Sequence, residues 1–144
     1  MSSTVVLKEH IHVGVSITDS ELVKNEMTVG ALVPGMPMVY STPYMIQVME
    51  ITAERLIAGL LPEGWVSVGT RLDVKHLKAT PVGFTVTTTD EVRAVTDKEI
   101  HFWVSAHDGV ELIGEGSHFR GVVELSRFQT GMRRKQAAFD DSQK

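Results

Sequence analysis

The sequence predicts an α+β domain in which one long helix lies across an antiparallel sheet of about five strands. Three observations carry that expectation. Residues 42–60 have the apolar spacing of an amphipathic helix. Four long runs after it alternate at period two and are joined by turn signals, and one further alternating run precedes it. A single amphipathic helix can bury its stripe only by lying across a sheet face, so the sheet must curve around it. The chain has 144 residues, enough for one domain with a core of its own. That domain is expected over residues 1–128, with residues 129–144 forming a short C-terminal helix and a polar tail.

The first strand is expected over Lys8 to Ser16, where Ile11, Val13 and Val15 share one face and His10, His12 and Gly14 the other. Ile17 to Val39 reads as an irregular connector, broken by Gly30, Pro34, Gly35 and Pro37. Ordered connectors of that length tend to be functional lids. The helix follows. Ser41 or Thr42 can cap it, Pro43 suits its first turn, and Leu61-Pro62-Glu63-Gly64 ends it. Ile46, Met49, Ala53, Leu56, Ile57 and Leu60 form its apolar side, with Thr42 on that side and Glu50 at its edge. Val66 to Leu77 then alternates, with Val66, Val68, Thr70, Leu72, Val74 and His76 on one face. Pro81-Val82-Gly83 turns the chain into Phe84 to Val95, and Thr96-Asp97-Lys98 into Glu99 to His107. Asp108-Gly109 is a hairpin signal leading to Val110 to Leu125, where Gly114 and Gly116 mark a bulge or a close approach.

Composition narrows the function classes. The net charge of −4 weighs against nucleic acid as partner, because phosphate binding rests on clustered Lys and Arg. The small basic cluster Arg133, Arg134, Lys135 reads as a solvated helix end. With no cysteine, thiolate nucleophiles, disulfides and cysteine-ligated metals are excluded. The six histidines form no recognisable ligand motif, and no phosphate-binding glycine loop or nucleophile elbow occurs. Neither an export signal nor an apolar stretch of about 20 residues is found, so a cytoplasmic protein without membrane contact is expected.

Three polar residues stand where chemistry could be done. Glu50 borders the helix stripe, as a paired structural carboxylate or a functional one. His76 closes the apolar face of its strand, as a satisfied rim residue or as a base that could pair with Glu50. Thr42 stands at the helix start, where its hydroxyl could cap the helix and where free N–H groups and the positive dipole end suit a developing oxyanion. Thr42 and Glu50 are eight residues apart, about 12 Å along a helix axis, and could bracket a substrate.

Several separated segments keep the order and spacing of a known family. They are Val39-Tyr40-Ser41-Thr42-Pro43 with Met49-Glu50, Ser67-Val68-Gly69-Thr70, His76 with Ala79-Thr80-Pro81-Val82-Gly83, Val104-Ser105-Ala106-His107-Asp108-Gly109-Val110, and Ile113-Gly114-Glu115-Gly116-Ser117-His118-Phe119-Arg120. The chain resembles, over about residues 5 to 135, the fluoroacetyl-CoA thioesterase-like branch of the hot-dog fold acyl-CoA thioesterases. The resemblance implies Thr42, Glu50 and His76 as the catalytic set, Gly69 lining the thioester site, and Arg120 contacting the coenzyme A part. It also implies a homodimer with acyl-CoA held between subunits and no cofactor beyond the coenzyme A of the substrate. The connector Leu32 to Met38 departs from the pattern, being aliphatic and Met-rich where fluoroacetyl-specific members carry aromatics. Val33 and Met36 in it are the candidate acyl contacts, and such surfaces fit varied apolar groups. The expected activity is therefore hydrolysis of a short or medium acyl-CoA, fluoroacetyl-CoA among the candidates. The alternatives are a hydratase or dehydratase of acyl thioesters on the same fold, and a non-catalytic acyl-CoA-binding dimer.

Overall fold

The structure, a computed structural model, describes residues 6–144. Residues 1–5, part of the opening read above as carrying no export signal, lie outside the described residues. In chain order the elements are α1 (Leu7–His10), β1 (Ser16–Leu22), a 3-10 turn (Asn25–Met27), α2 (Val29–Leu32) and α3 (Thr42–Ala58). Then come β2 (Trp65–His76), β3 (Thr85–Val95), β4 (Glu99–His107), β5 (Leu112–Glu124) and α4 (Leu125–Ser142). The five strands form one antiparallel sheet in the order β1-β3-β4-β5-β2, leaving β1 and β2 as its edges. Helix α3 packs across it, touching β1, β2, β3 and β4. No helix among the described residues is long and apolar enough to cross a membrane.

The core lies between α3 and the concave face of the sheet. Met45, Met49, Ala53 and Ile57 meet Val86 and Val92 of β3, Ile100, Phe102 and Val104 of β4, and Ile113 of β5. The buried stripe of α3 is centred on Met45 and Met49, and Ile46 is only half-buried. Gly114 and Gly116 are sites of close approach. A Cβ at residue 114 would stand 2.6 Å from the sulfur of Met45, and one at residue 116 would collide with the backbone of Asp73.

Four expectations are corrected. Lys8 to Ser16 is not a strand: Leu7 and Ile11, four residues apart, both point into the core from a short helix, and Gly14 turns the chain at φ +96°. The first strand is instead β1, inside the stretch read as connector. Two of its three inward positions, Asp19 and Glu21, are polar, which hid it. Asp19 is satisfied by Arg55 at 3.2 Å, and Glu21 accepts from the Tyr40 hydroxyl at 2.8 Å. The rest of the connector holds the 3-10 turn and α2.

The third correction concerns β2. Its pairing with β5 slips between Gly69 and Arg71, leaving Thr70 without a counterpart in the strand register. An extra residue in one strand reverses the facing of everything beyond it. Ser67 and Gly69 therefore share the inward face with Leu72, Val74 and His76, while Val66 and Val68 do not. The fourth lies at the C-terminus. Helix α4 spans 18 residues, longer than the short helix and tail expected, because Met132 to Ala138 is rich in good helix formers.

Candidate active site

Ser41 is the N-cap of α3, its hydroxyl accepting from the Tyr44 N–H at 3.2 Å. Capping by Ser41 leaves the Thr42 hydroxyl free. It stands 2.7 Å from Nδ1 of His76, the last residue of β2, in a hydrogen bond that either group can donate. The other ring nitrogen, Nε2, is buried and has no hydrogen-bond partner among the described residues. Burial holds the imidazole below its ordinary 6.5, against a smaller opposing pull from the Lys78 backbone, which favours the neutral ring at pH 7. The pair opens into a cleft of about 270 Å³, walled by Val29, Val39, Tyr40 and the Leu77-Lys78-Ala79 backbone turn.

Two helical turns further along α3, Glu50 forms a second centre. Its side chain remains 41% exposed, and its inner side rests against β2 and β5. Oε1 occupies the space a side chain at residue 69 would take, so glycine at that position is what admits the carboxylate. Arg120 of β5 holds it from below, with Nη1 3.7 Å from Oε1 and 3.5 Å from the Glu50 carbonyl.

The Arg120 guanidinium is buried and donates in every direction. Nε donates to Ser67 Oγ at 2.8 Å, and Nη2 to Glu54 Oε2 at 3.1 Å and the Ser67 carbonyl at 3.2 Å. The Ser67 hydroxyl in turn donates a hydrogen bond to Glu54 Oε2 at 2.6 Å. Nη1 meets Nε2 of His118 at 3.2 Å, and the Nδ1 of that histidine lies 3.0 Å from the Arg71 carbonyl. Behind this cluster, on β3, Asp90 is fully buried, and among the described residues neither of its oxygens has a hydrogen-bond partner of normal geometry. Burial pushes it up to about 8, with Arg120 and the Ala53 backbone pulling the other way, so it is mostly protonated at pH 7.

The structure thus joins Thr42 with His76, and Glu50 with Gly69 and Arg120. It does not join Glu50 with His76 as a hydrogen-bonded pair: His76 is engaged by Thr42. Arg120 is turned inward onto Glu50, Glu54 and His118, where the resemblance implied a contact with coenzyme A. Val33 and Met36 are 52% and 48% exposed and do not line the Thr42–His76 cleft; Val29 and Val39 supply that wall instead. Sequence reasoning passed over Asp90, Glu54, Ser67 and the role of His118. One signal was available, because His118 and Arg120 alternate on the same strand face as the close-packed Gly114 and Gly116.

Comparison with known proteins identifies the family. Residues 3–126 match the family of fluoroacetyl-CoA-specific thioesterases. The chain is 38% identical over 138 residues to the fluoroacetyl-CoA thioesterase of Streptantibioticus cattleyicolor, covering 92% of this chain and 99% of that one. A crystal structure of the fluoroacetyl-CoA thioesterase superposes with a TM-score of 0.81 at 39% identity, covering 87% of this chain and 97% of the other. A hot-dog-like protein from Thermanaerovibrio acidaminovorans superposes with a TM-score of 0.84 at 25% identity, over 90% and 96% of the two chains. The helix wrapped by a five-stranded sheet, the grouped polar residues and these matches place the chain in the fluoroacetyl-CoA-specific thioesterase family of the hot-dog fold.

Proposed function

We propose that the protein is an acyl-CoA thioesterase that cleaves a short or medium acyl-CoA to the free acid and coenzyme A, acting as a homodimer and needing no further cofactor. The observation that carries the reading is the half-buried Glu50 carboxylate, fitted against Gly69 and held by Arg120, on the same helix as the Thr42–His76 pair. The thioester carbonyl is held by the Thr42 hydroxyl and the free N–H groups at the start of α3, where negative charge develops. Glu50 attacks the carbonyl carbon or draws a proton from the water that does. A C–O bond forms, the C–S bond breaks, and the thiolate takes a proton through His76, whose depressed basicity lets it release protons near neutrality. Water supplies the oxygen of the acid and the hydrogen of the thiol.

Fluoroacetyl-CoA, the substrate named for the relatives, is one candidate. The aliphatic connector, with Leu32, Val33, Met36 and Met38 all exposed, favours other small apolar acyl groups as well. Thiol release measured over short, branched, aromatic and halogenated acyl-CoAs tests the reading. Wild type should release thiol from at least one short member, and Glu50→Gln should cut kcat on the order of 10²- to 10⁴-fold. Full turnover in Glu50→Gln removes that residue from the chemistry. Tight coenzyme A binding with no thiol release would identify a binding protein instead.

A further inference from the structure

We infer that His118 is a positioning residue, an imidazole locked as a hydrogen-bond acceptor that fixes the Arg120 guanidinium and through it the pose of Glu50. The inference rests on Glu50 being the group that attacks or activates water. His118 touches no part of the cleft at Thr42 and His76, and its ring is fully buried on the inward face of β5.

The tautomer follows from its partners. Nδ1 faces the Arg71 carbonyl at 3.0 Å, and a carbonyl can only accept, so Nδ1 carries the proton. Nε2 faces Arg120 Nη1 at 3.2 Å, and a guanidinium can only donate, so Nε2 is bare. The neutral Nδ1–H ring satisfies both contacts. A protonated ring would set N–H against N–H. Burial moves the ring's titration below the ordinary 6.5, with Arg120 adding to the effect and the Arg71 carbonyl and Glu50 opposing it. The charged or titratable groups around the ring are Glu50 and Glu54 of α3, Asp90 of β3, Arg120 of β5 and, through its backbone, Arg71 of β2.

A guanidinium has five N–H groups, and all five are committed here. Three go to Glu54 and Ser67, one goes to His118, and the last points at the Glu50 backbone carbonyl beside its carboxylate. His118 thus takes up the second hydrogen of Nη1 and leaves the first aimed at Glu50. Without an acceptor at residue 118 that buried donor is orphaned, and the cation gains a reason to swing away. The Thr70 bulge makes the arrangement possible, because the slipped register sets the Arg71 carbonyl against His118.

The test compares His118→Leu, which removes the acceptor, with His118→Gln, which keeps one. His118→Leu should lower kcat about ten- to a hundredfold, the scale of a sub-ångström misplacement at a reacting group, with KM near wild type. His118→Gln should regain most of that loss. In the wild-type protein, ¹⁵N-histidine NMR should show His118 as the neutral Nδ1–H tautomer at pH 7 and still neutral at 6.5. Unchanged kcat in His118→Leu, equal losses in both variants, or an Nε2–H or cationic ring at neutral pH would overturn the inference. If His118→Leu does not fold, His118→Gln and the wild-type spectrum decide it. The spectrum is recorded without substrate, so a wild type lacking thioesterase activity counts against the hydrolytic reading and is read apart from it.

Discussion

At the scale of single residues, Gly69 shows how a missing side chain can make room for another. A methyl group at residue 69 would land on Glu50 Oε1 and stand 3.3 Å from Cε1 of His118. The carboxylate is the far end of a flexible side chain and can rotate away, so Gly69→Ala should cost little stability. It should cost activity, because the carboxylate would leave Arg120. Thermal melting within a few degrees of wild type together with a kcat reduced tenfold or more is the expected pair of results. A large drop in melting temperature would instead mark Gly69 as a packing glycine. Thr42, Glu50 and His76 could be singled out from helix and strand spacing, since each departs from an apolar pattern. Gly69 could be reached only through family resemblance, because a glycine announces nothing about which side chain fills the space beside it.

Among elements, the inward face of β3 carries the largest anomaly. Val86, Thr88, Asp90 and Val92 alternate into the core, and Asp90 sits there under Ala53 of α3. Its carboxyl titrates near 8 in the folded protein against an ordinary 3.8. The folded state therefore holds a proton that the unfolded chain releases, and stability should fall as pH rises from about 4 to about 8, then level off. Asp90→Asn should flatten that slope and gain a few kcal/mol on wild type at pH 8 relative to pH 5. Denaturant unfolding at several pH values checks it, and parallel pH profiles for the two proteins would refute it. The β-strands were legible where alternation is apolar against polar, as in β4, and hidden where most inward positions are polar, as in β1. The Thr70 bulge was illegible for a further reason. A register slip depends on what the neighbouring strand offers, and no local spacing in Val66 to His76 encodes it. That one slip carried Ser67 inward, and with it the whole arginine cluster escaped the sequence reading.

The whole molecule carries two polar clusters on one chain. Thr42 and Glu50 are eight residues apart on α3, about 12 Å, and among the described residues no hydrogen bond links their clusters. A thioester bound within one protomer would have to reach from one cluster to the other along that length of helix. The edge strand β2 suggests how a pair of chains would solve this. It is 12 residues long, roughly 40 Å, with one side unpaired and Leu72 partly exposed on it, and such edges invite pairing. If two copies join β2 to β2 in antiparallel fashion about Leu72, His76 of each falls opposite the Ser67–Gly69 stretch of the other. Each Thr42–His76 pair then meets the Glu50 centre of the second chain, giving two complete sites related by a two-fold axis. The protein should accordingly sediment as a dimer at micromolar concentration. Mixing gives a sharper measurement. Thr42→Val and Glu50→Gln chains should each be nearly inactive alone. After co-refolding in equal amounts they should recover about a quarter of wild-type activity, since half the dimers are mixed and each of those has one intact site. If both halves of a site come from the same chain, mixing restores nothing, and a monomer in solution would end the composite arrangement outright.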